Sequence, residues 1–213
     1  EMTHNVAHSE RTHCVVEQYL SQQWFVKMKP LVNKALSHIE DDEIKFFPES
    51  AKRNVLNYLK NLKDWNVSRQ IAWGIPIPAF QNKEDPKDWI FNTRVTEPEI
   101  EIDGKTYIRE EDTFDTWFSS SQWPYITTDY LENGKNAKFY PNSVLETGSD
   151  ILYGWVSRMI LMGVYRTGMV PFKEVYLHGM VLDEKGLKMS KSKGNVINPM
   201  EMLAKYGSDA LRI

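Results

Sequence analysis

Four lysines, two serines and two glycines lie within one short stretch near the carboxyl end of the sequence, residues 183–195. Lysine ammonium groups, serine hydroxyls and exposed backbone amides are the donors that a polyphosphate needs. Gly186 and Gly194, near the two ends of the stretch, would let it close on a substrate and open to release a product. The commoner explanation of such a composition is a solvent-exposed lysine loop without a ligand, so other residues have to decide between the two.

The elements upstream of this stretch predict where it lies. A short strand ends at Gly148, and Ser149 or Asp150 caps an amphipathic helix that follows it. That helix ends at Gly168, and a second strand covers 175–181. A strand–helix–strand unit is typical of a parallel α/β sheet, in which ligands bind at the carboxyl ends of the strands. The turn after the first strand and the lysine-bearing loop after the second are therefore candidate ligand sites.

The first two thirds of the chain show a mixed pattern. Residues 15–28 combine β-branched and aromatic side chains, which we interpret as a strand. Apolar residues at helical spacing predict helices over 30–39 and 50–63. Residues 74–110 contain several prolines, and the pair Asp103-Gly104 between two strand patterns is a strong hairpin signal. This region is therefore predicted to be a small β-rich insertion.

The bulk composition excludes several classes of protein. The chain has 213 residues, of which 41% are hydrophobic and 26% charged, and its net charge is −3. No stretch reaches the roughly 18 apolar residues that a membrane span requires, and the polar residues 1–4 do not resemble a signal peptide. The negative net charge counts against a DNA-coating protein, although a local patch could still bind phosphate. Cys14, the single cysteine, excludes an internal disulfide and favours the cytoplasm.

Residues 188–192 read KMSKS, which is the signature of class I aminoacyl-tRNA synthetases, and His178-Gly179 precedes it as in that family. The segment 113–124, containing DTWFSS and WP, and the segment 144–159, containing TGSDI and WVSRM, resemble the valyl branch of the family. This resemblance covers nearly the whole chain. It implies an α/β fold, namely the second half of a class I Rossmann-like nucleotide-binding fold with a helical and β-rich connective insertion.

The same resemblance implies how the chain is divided. Residues 1–28 would be the end of the return segment from the connective or editing domain, and 29–73 a helical connective segment. Residues 74–128 would form a small β-rich insertion and pocket segment, and 129–213 the second Rossmann half with the KMSKS loop. Within this last part, 129–142 are interpreted as a surface link.

The resemblance also assigns site residues. Lys188 and Lys191 would be catalytic, because their charges stabilise the pyrophosphate that leaves ATP, and Lys191 is expected to contact the phosphates directly. Gly148 would let the ribose approach the backbone, and Asp150 would accept hydrogen bonds from its hydroxyls, unless Asp150 is only a helix cap. The implied ATP site comprises Gly148, Asp150, His178, Gly179, Met189, Ser190, Lys191 and Ser192.

Two further residues have alternative explanations. Trp155 would form a wall of the amino-acid pocket, or it packs in the core of its helix. Arg69 would contact the acceptor end of the tRNA, or it pairs with Asp64. His178 by itself would more often be structural. Many relatives bind zinc near the segments that match residues 8–14 and 79–95, but the second of these has no Cys or His here, so we expect neither a structural zinc nor another metal site.

The implied activity is that of a valine–tRNA ligase, which converts valine and ATP, with Mg²⁺, into valyl-adenylate and pyrophosphate and then charges tRNA(Val). The expected partners are tRNA(Val), valine and ATP, without DNA or a membrane. The His-x-Gly-His signature, the editing domain and the anticodon-binding domain are not in this sequence, so we expect it to be inactive alone. The alternative within the family is an isoleucyl enzyme, which would show Gln at the position of Ile151. A non-catalytic ATP- or tRNA-binding module is the alternative from another class.

Overall fold

A computed structural model describes residues 6–10, 12–17, 19–134 and 137–212 of the chain. The chain divides into two compact units. The first unit combines Glu1–Val26 with Asp64–Asp115, and the second combines Lys27–Lys63 with Thr116–Ile213. The segment boundaries implied by the family resemblance stay predictions.

The strands are β1 (Phe25–Val26), β2 (Lys45–Phe47), β3 (Trp65–Asn66), β4 (Ser68–Arg69), β5 (Ala79–Asn82), β6 (Trp89–Phe91), β7 (Glu99–Ile102), β8 (Lys105–Arg109), β9 (Thr113–Phe114), β10 (Asn142–Gly148) and β11 (Phe172–His178). The α-helices are α1 (Met28–Glu40), α2 (Ser50–Lys60), α3 (Thr116–Ser120), α4 (Trp123–Thr127), α5 (Tyr130–Asn133), α6 (Ser157–Thr167) and α7 (Pro199–Arg212).

The second unit is built on a three-stranded parallel sheet in the order β10-β11-β2. The two strands predicted around Gly148 and at 175–181 are confirmed, although β11 begins and ends three residues earlier than predicted. Strand β2 was not predicted, because three residues between two helices carry too little periodicity to identify a strand. The sheet therefore brings three carboxyl-terminal strand ends to one edge.

One face of this sheet is covered and the other is open. Leu145, Val175 and Phe46 are neighbours in register and are buried. Val144 and Tyr176, on the opposite face, are each about half exposed. Helices α1 and α6 pack against each other. Their fully buried side chains include Ala35, Ile39, Met159, Ile160 and Leu161.

The segment after β10 does not form the single capped helix that the sequence predicted. It begins with a 3₁₀ turn over Ser149–Ile151, continues with a π-helical turn over Leu152–Val156, and becomes α6 at Ser157. The residue at the N-terminal cap position is Gly148, and no side chain caps this start. The predicted end is confirmed, because Gly168 takes a left-handed conformation with φ +72°.

The first unit contains a four-stranded antiparallel sheet in the order β6-β5-β8-β7. Asp103 and Gly104 connect β7 to β8 with φ values of +51° and +74°, as a two-residue hairpin turn requires. This confirms that the region is β-rich, whereas its interpretation as an insertion stays a prediction. Of the residues that the structure describes in the predicted strand at 15–28, Phe25–Val26 alone form a strand, which pairs with β3, and Met28 already belongs to α1. The prediction of one strand over the whole stretch is therefore wrong.

Two remaining predictions have different outcomes. Helices α1 and α2 confirm the predictions over 30–39 and 50–63, although α2 ends three residues earlier than predicted. The stretch 129–142 is more than a surface link, because Ala137 and Tyr140 are buried and cluster with Tyr125. Spacing alone did not reveal this, because these residues pack against a preceding helix rather than along one element.

Candidate nucleotide-binding site

The site lies at the carboxyl-terminal edge of the parallel sheet. Gly148 is the last residue of β10 and His178 the last residue of β11, and the two are partners in the strand register. Parallel strands bring their carboxyl ends to the same edge, where ligands of open α/β sheets bind. The two sequence positions predicted to bind ATP on separate strands are therefore neighbours in the fold.

Gly148 is a glycine for reasons of space. Its φ of −68° is accessible to every residue type. A Cβ at this position would lie 2.7 Å from Asp150 Oδ1, which is closer than real Cβ contacts come, and 3.0 Å from Met180 Sδ, which is a tight contact. A side chain at position 148 would therefore displace the Asp150 carboxylate or the Met180 thioether.

Asp150 and Lys188 are brought together, although they are far apart in the sequence. The Lys188 ammonium donates a hydrogen bond to Asp150 Oδ2 and forms an ion pair with it. This hydrogen bond holds the pKa of the Asp150 carboxyl below its ordinary value, because the charged form is favoured. The carboxylate that the resemblance assigns to the ribose thus lies beside the first lysine of the KMSKS segment.

The KMSKS segment follows a turn that starts at Asp183. Leu182 and Lys188 form an isolated antiparallel bridge, which places the segment alongside the end of the preceding chain. Ser190 Oγ accepts a hydrogen bond from the Lys193 N–H at 3.3 Å and so begins a short 3₁₀ turn over Lys191–Lys193. Gly194 ends this turn in a left-handed conformation with φ +67°.

The lysines of this segment are held differently. Both Lys188 and Lys191 are exposed, but Lys188 contacts Asp150, whereas Lys191 lies at the start of the 3₁₀ turn. Met189 is half-buried, and its sulfur lies 3.5 Å from the Ile197 N–H. The side chain of Ser192 lies outside the described part of the chain.

The His178 ring is held by the backbone carbonyl of the following residue, Gly179. Its Nδ1 lies 2.7 Å from the Gly179 carbonyl oxygen, and because a carbonyl only accepts, Nδ1 carries a proton. Its Nε2 lies 3.6 Å from Glu146 Oε1. Beside His178 and Gly179 is a cavity of about 330 Å³ that is also lined by Pro48, Ser50 and Tyr153.

Trp155 lies in the π-helical turn and is half-buried. Its indole Nε1 donates to the carbonyl oxygen of Ser120 at 3.2 Å. This bond ties the turn to α3 and orients the indole ring. Part of the ring remains accessible, so both predicted roles, a pocket wall and a packing residue, are compatible with the structure.

Arg69 forms an ion pair with Asp115, in which its Nη2 lies 2.9 Å from Asp115 Oδ2; the alternative prediction had named Asp64 as its partner. The Asp115 carboxylate also accepts a hydrogen bond from Trp65 Nε1 at 2.8 Å. Arg69 belongs to the first unit and the KMSKS segment to the second. Its contact with tRNA therefore stays a prediction from the resemblance alone.

Three residues near the site were not predicted. Met180 lies against Gly148, and Asp183 and Asn195 hydrogen-bond to each other at 2.8 Å. No spacing rule links Asp183 to Asn195, since a loop without periodicity brings them together.

Among the residues that the structure describes, no group of three or more His, Cys, Asp or Glu side chains is placed to hold a metal. No helix in the described ranges is long and apolar enough to cross a membrane.

Comparison with known proteins decides the family. The family described as tRNA synthetases class I (I, L, M and V) matches residues 6–213. The chain belongs to this family. Among curated class I tRNA synthetases, the valine–tRNA ligase of Geobacillus kaustophilus is 45% identical over 215 residues, which cover 100% of this chain and 24% of the relative. The valine–tRNA ligase of Mesoplasma florum is 46% identical, covering 99% of this chain and 24% of the relative.

The solved structures agree on the fold of this class I tRNA synthetase segment. The methionyl-tRNA synthetase of Mycobacterium tuberculosis bound by methionyl-adenylate superposes with a TM-score of 0.63 at 19% identity, covering 97% of this chain and 35% of that chain. At this identity the likeness shows a common fold. The expected α/β catalytic-core fold is thereby confirmed. The chain spans 24% of the length of the curated relatives named above.

Proposed function

We propose that this segment forms the KMSKS half of the ATP site in a cytoplasmic valine–tRNA ligase, which activates valine and transfers it to tRNA(Val). The observation that carries the proposal is the contact between Asp150 and Lys188. It joins a ribose-type acceptor at one strand end to a phosphate-type donor in the loop that follows the neighbouring strand. A nucleoside triphosphate needs both groups along its length.

In the first step, the valine carboxylate attacks the α-phosphorus of ATP, and the bond to the pyrophosphate leaving group breaks. Negative charge accumulates on the leaving oxygens, where fixed cationic donors lower the barrier. Lys191 is exposed and contributes such a donor. Lys188 contributes a second when its ammonium exchanges the Asp150 carboxylate for a phosphate oxygen. A hydroxyl of the 3′-terminal ribose of the tRNA then attacks the valyl carbonyl carbon, and AMP leaves.

Mg²⁺ would reach this site with ATP. Protein sites usually hold Mg²⁺ through substrate phosphates with one or two carboxylates, and Asp150 and Glu146 are the carboxylates that flank the strand end here. The ion would neutralise phosphate charge. The residues of this chain bind and orient the ribose and the pyrophosphate.

The similarity to valine–tRNA ligases, which extends over nearly the whole of this chain, supports valine rather than isoleucine as the substrate. The half-buried Trp155 is a candidate wall for the small apolar pocket that valine requires. Such pockets discriminate weakly between amino acids of similar size and shape, and aminoacyl-tRNA synthetases are a known example of this weak discrimination.

The test is amino-acid-dependent ATP–pyrophosphate exchange by a full-length enzyme that carries this segment. We expect exchange with valine. Exchange with isoleucine but not with valine would assign the segment to an isoleucyl enzyme instead. If no amino acid supports exchange while ATP still binds, the segment is a nucleotide-binding module, and the catalytic proposal is wrong.

A further inference from the structure

Asp183 and Asn195 tie the two ends of the KMSKS loop together. Asp183 Oδ2 accepts a hydrogen bond from Asn195 Nδ2 at 2.8 Å. Asp183 Oδ1 accepts from the backbone N–H groups of Lys185 at 2.9 Å and Leu187 at 2.8 Å. One carboxylate therefore holds the turn before the lysines and, through Asn195, the chain that returns after them. We call this pair the Asp183–Asn195 clamp.

The second half of the clamp reaches the KMSKS backbone itself. Asn195 Oδ1 accepts a hydrogen bond from the Ser190 N–H at 2.9 Å. Asn195 Nδ2 also lies 3.3 Å from the carbonyl oxygen of Lys188. The backbone from Lys188 to Ser190 is thus held on both sides of Met189 by a single amide side chain.

This arrangement matters because apolar burial does not hold the loop in place. Apart from the undescribed side chain of Ser192, none of the residues 182–198 is buried. Asp183 and Asn195 are themselves half-buried, which strengthens their hydrogen bonds relative to fully solvated ones. Hydrogen bonds from Asn195 and from the Leu187 N–H hold the pKa of the Asp183 carboxyl below its ordinary value.

We infer that Asp183 and Asn195 are positioning residues that fix the backbone from which the Lys188 and Lys191 ammonium groups reach the phosphates of ATP. The inference rests on the proposed function, since it supplies the geometry that the lysines need. Neither residue is required to touch the substrate. Misplacing a charged donor by about 1 Å is enough to lower the rate of a positioned reaction by about 100-fold.

The chemistry of the pair makes it testable by exchange of the two groups. Asn195→Asp places two carboxylates against each other where the structure has a 2.8 Å hydrogen bond. Asp183→Asn places an amide N–H of residue 183 against the Asn195 Nδ2 group, so that two donors face each other. A flip of the Asn195 amide would pair these two residues again, but it would then place Asn195 Nδ2 against the Ser190 N–H. In the double variant Asp183→Asn/Asn195→Asp, the amide and the carboxylate change places and all these bonds re-form except the one to the Lys188 carbonyl.

The experiment measures valine-dependent ATP–pyrophosphate exchange in the full-length enzyme, with kcat expressed per active site. We expect each single variant to lower kcat by about 10- to 100-fold with little change in the KM for valine. The double variant should recover most of this loss. A general loss of folded protein would not give this rescue, because it would reduce the number of active sites and leave the kcat per site unchanged.

Asn198→Asp is the matched control, since it makes the same chemical change three residues further along the chain. Asn198 Oδ1 accepts from the Met200 N–H at 3.0 Å, which a carboxylate oxygen at this helix start can also do. Its Nδ2 lies 3.5 Å from Glu201 Oε1, but the Glu201 side chain is exposed and can turn away from a new carboxylate into water. We expect its kcat to stay within about twofold of the unaltered enzyme.

The two proposals fail separately. If the unaltered enzyme is active and the single variants keep its kcat, or the double variant is no better than either single one, the clamp is wrong and the proposed function stands. If the unaltered enzyme supports no exchange with any amino acid, the proposed function is wrong and the positioning role falls with it.

Discussion

Gly148 and Lys188 lie on two sides of the same candidate site, but the protein holds them by different means. Gly148 ends a strand that is hydrogen-bonded along its length to β11, and its side-chain position is filled by Asp150 and Met180. Lys188 lies in a loop that is held by an ion pair and by the Asp183–Asn195 clamp. Packing therefore determines the shape of the site at the end of β10, whereas hydrogen bonds and an ion pair position the charged groups of the KMSKS loop.

This difference separates stability from activity. A packed strand end contributes to the free energy of unfolding through buried area, so changes there propagate through the sheet. An exposed loop contributes little to that free energy, so changes there act on the reaction. The predictions below test this separation, from the largest expected effect to the smallest.

The first prediction compares the same kind of truncation in both regions. Ile160 is fully buried in α6. Ile160→Ala should therefore lower the free energy of unfolding of the sheet region by about 2–5 kcal/mol. Leu187→Ala, at a loop side chain that is half exposed, should change the free energy of unfolding by no more than about 0.5 kcal/mol. Native-state hydrogen exchange of the β10 amides measures both, and equal values would remove the distinction.

The second prediction concerns the charge of Lys191. Lys191→Ala should lower kcat for valine-dependent exchange by about 100- to 1,000-fold, because a donor to the leaving pyrophosphate is lost. Lys185→Ala, which removes the same charge from the turn before the motif, should stay within about twofold. An unchanged rate for Lys191→Ala would deny the loop its catalytic role.

The third prediction concerns the space at Gly148. Gly148→Ala should raise the KM for ATP by about tenfold, because the new Cβ displaces the Asp150 carboxylate and weakens a charged hydrogen bond. Gly154→Ala is the control, since its Cβ would make only ordinary contacts, at 3.6 Å from the Trp117 ring. A KM that is the same in both variants would show that the tight fit at Gly148 does not serve ATP binding.

The fourth and smallest effect is on the pKa of Asp150. The Lys188 hydrogen bond lowers the pKa of Asp150 in the folded state. The bond therefore stabilises the folded state fully at pH values above the ordinary pKa of 3.8, and this stabilisation is lost as the pH falls through the lowered pKa. Lys188→Met should return the pKa of Asp150 towards 3.8, whereas Lys185→Met should leave it lowered. A carboxyl-carbon NMR titration measures this, and a pKa that Lys188→Met does not move would mean that the contact is not persistent.

The sequence predicted those parts of the fold and of the site that local chemistry determines. The hairpin at Asp103-Gly104 requires positive φ values that few residue types supply. The KMSKS residues identified the loop, and the strand–helix–strand pattern placed its strands. These signals all lie within a few residues of the structure that they specify.

Long-range contacts were beyond the sequence. The ion pair between Asp150 and Lys188 joins residues on different elements, and the Asp183–Asn195 clamp closes a loop that has no periodicity. The π-helical turn that carries Trp155 has the same apolar spacing as the α-helix that was predicted there. Such features depend on tertiary packing, which no single sequence window contains.

The central claim is that the end of β10 and the KMSKS loop bind opposite parts of one ATP molecule. A crystal structure of the full-length enzyme with a non-hydrolysable ATP analogue tests it most directly. The account predicts the ribose hydroxyls within hydrogen-bond distance of Asp150 and the phosphates within reach of Lys191. An analogue bound with its ribose away from Asp150, or with its phosphates beyond the reach of both loop lysines, would contradict it.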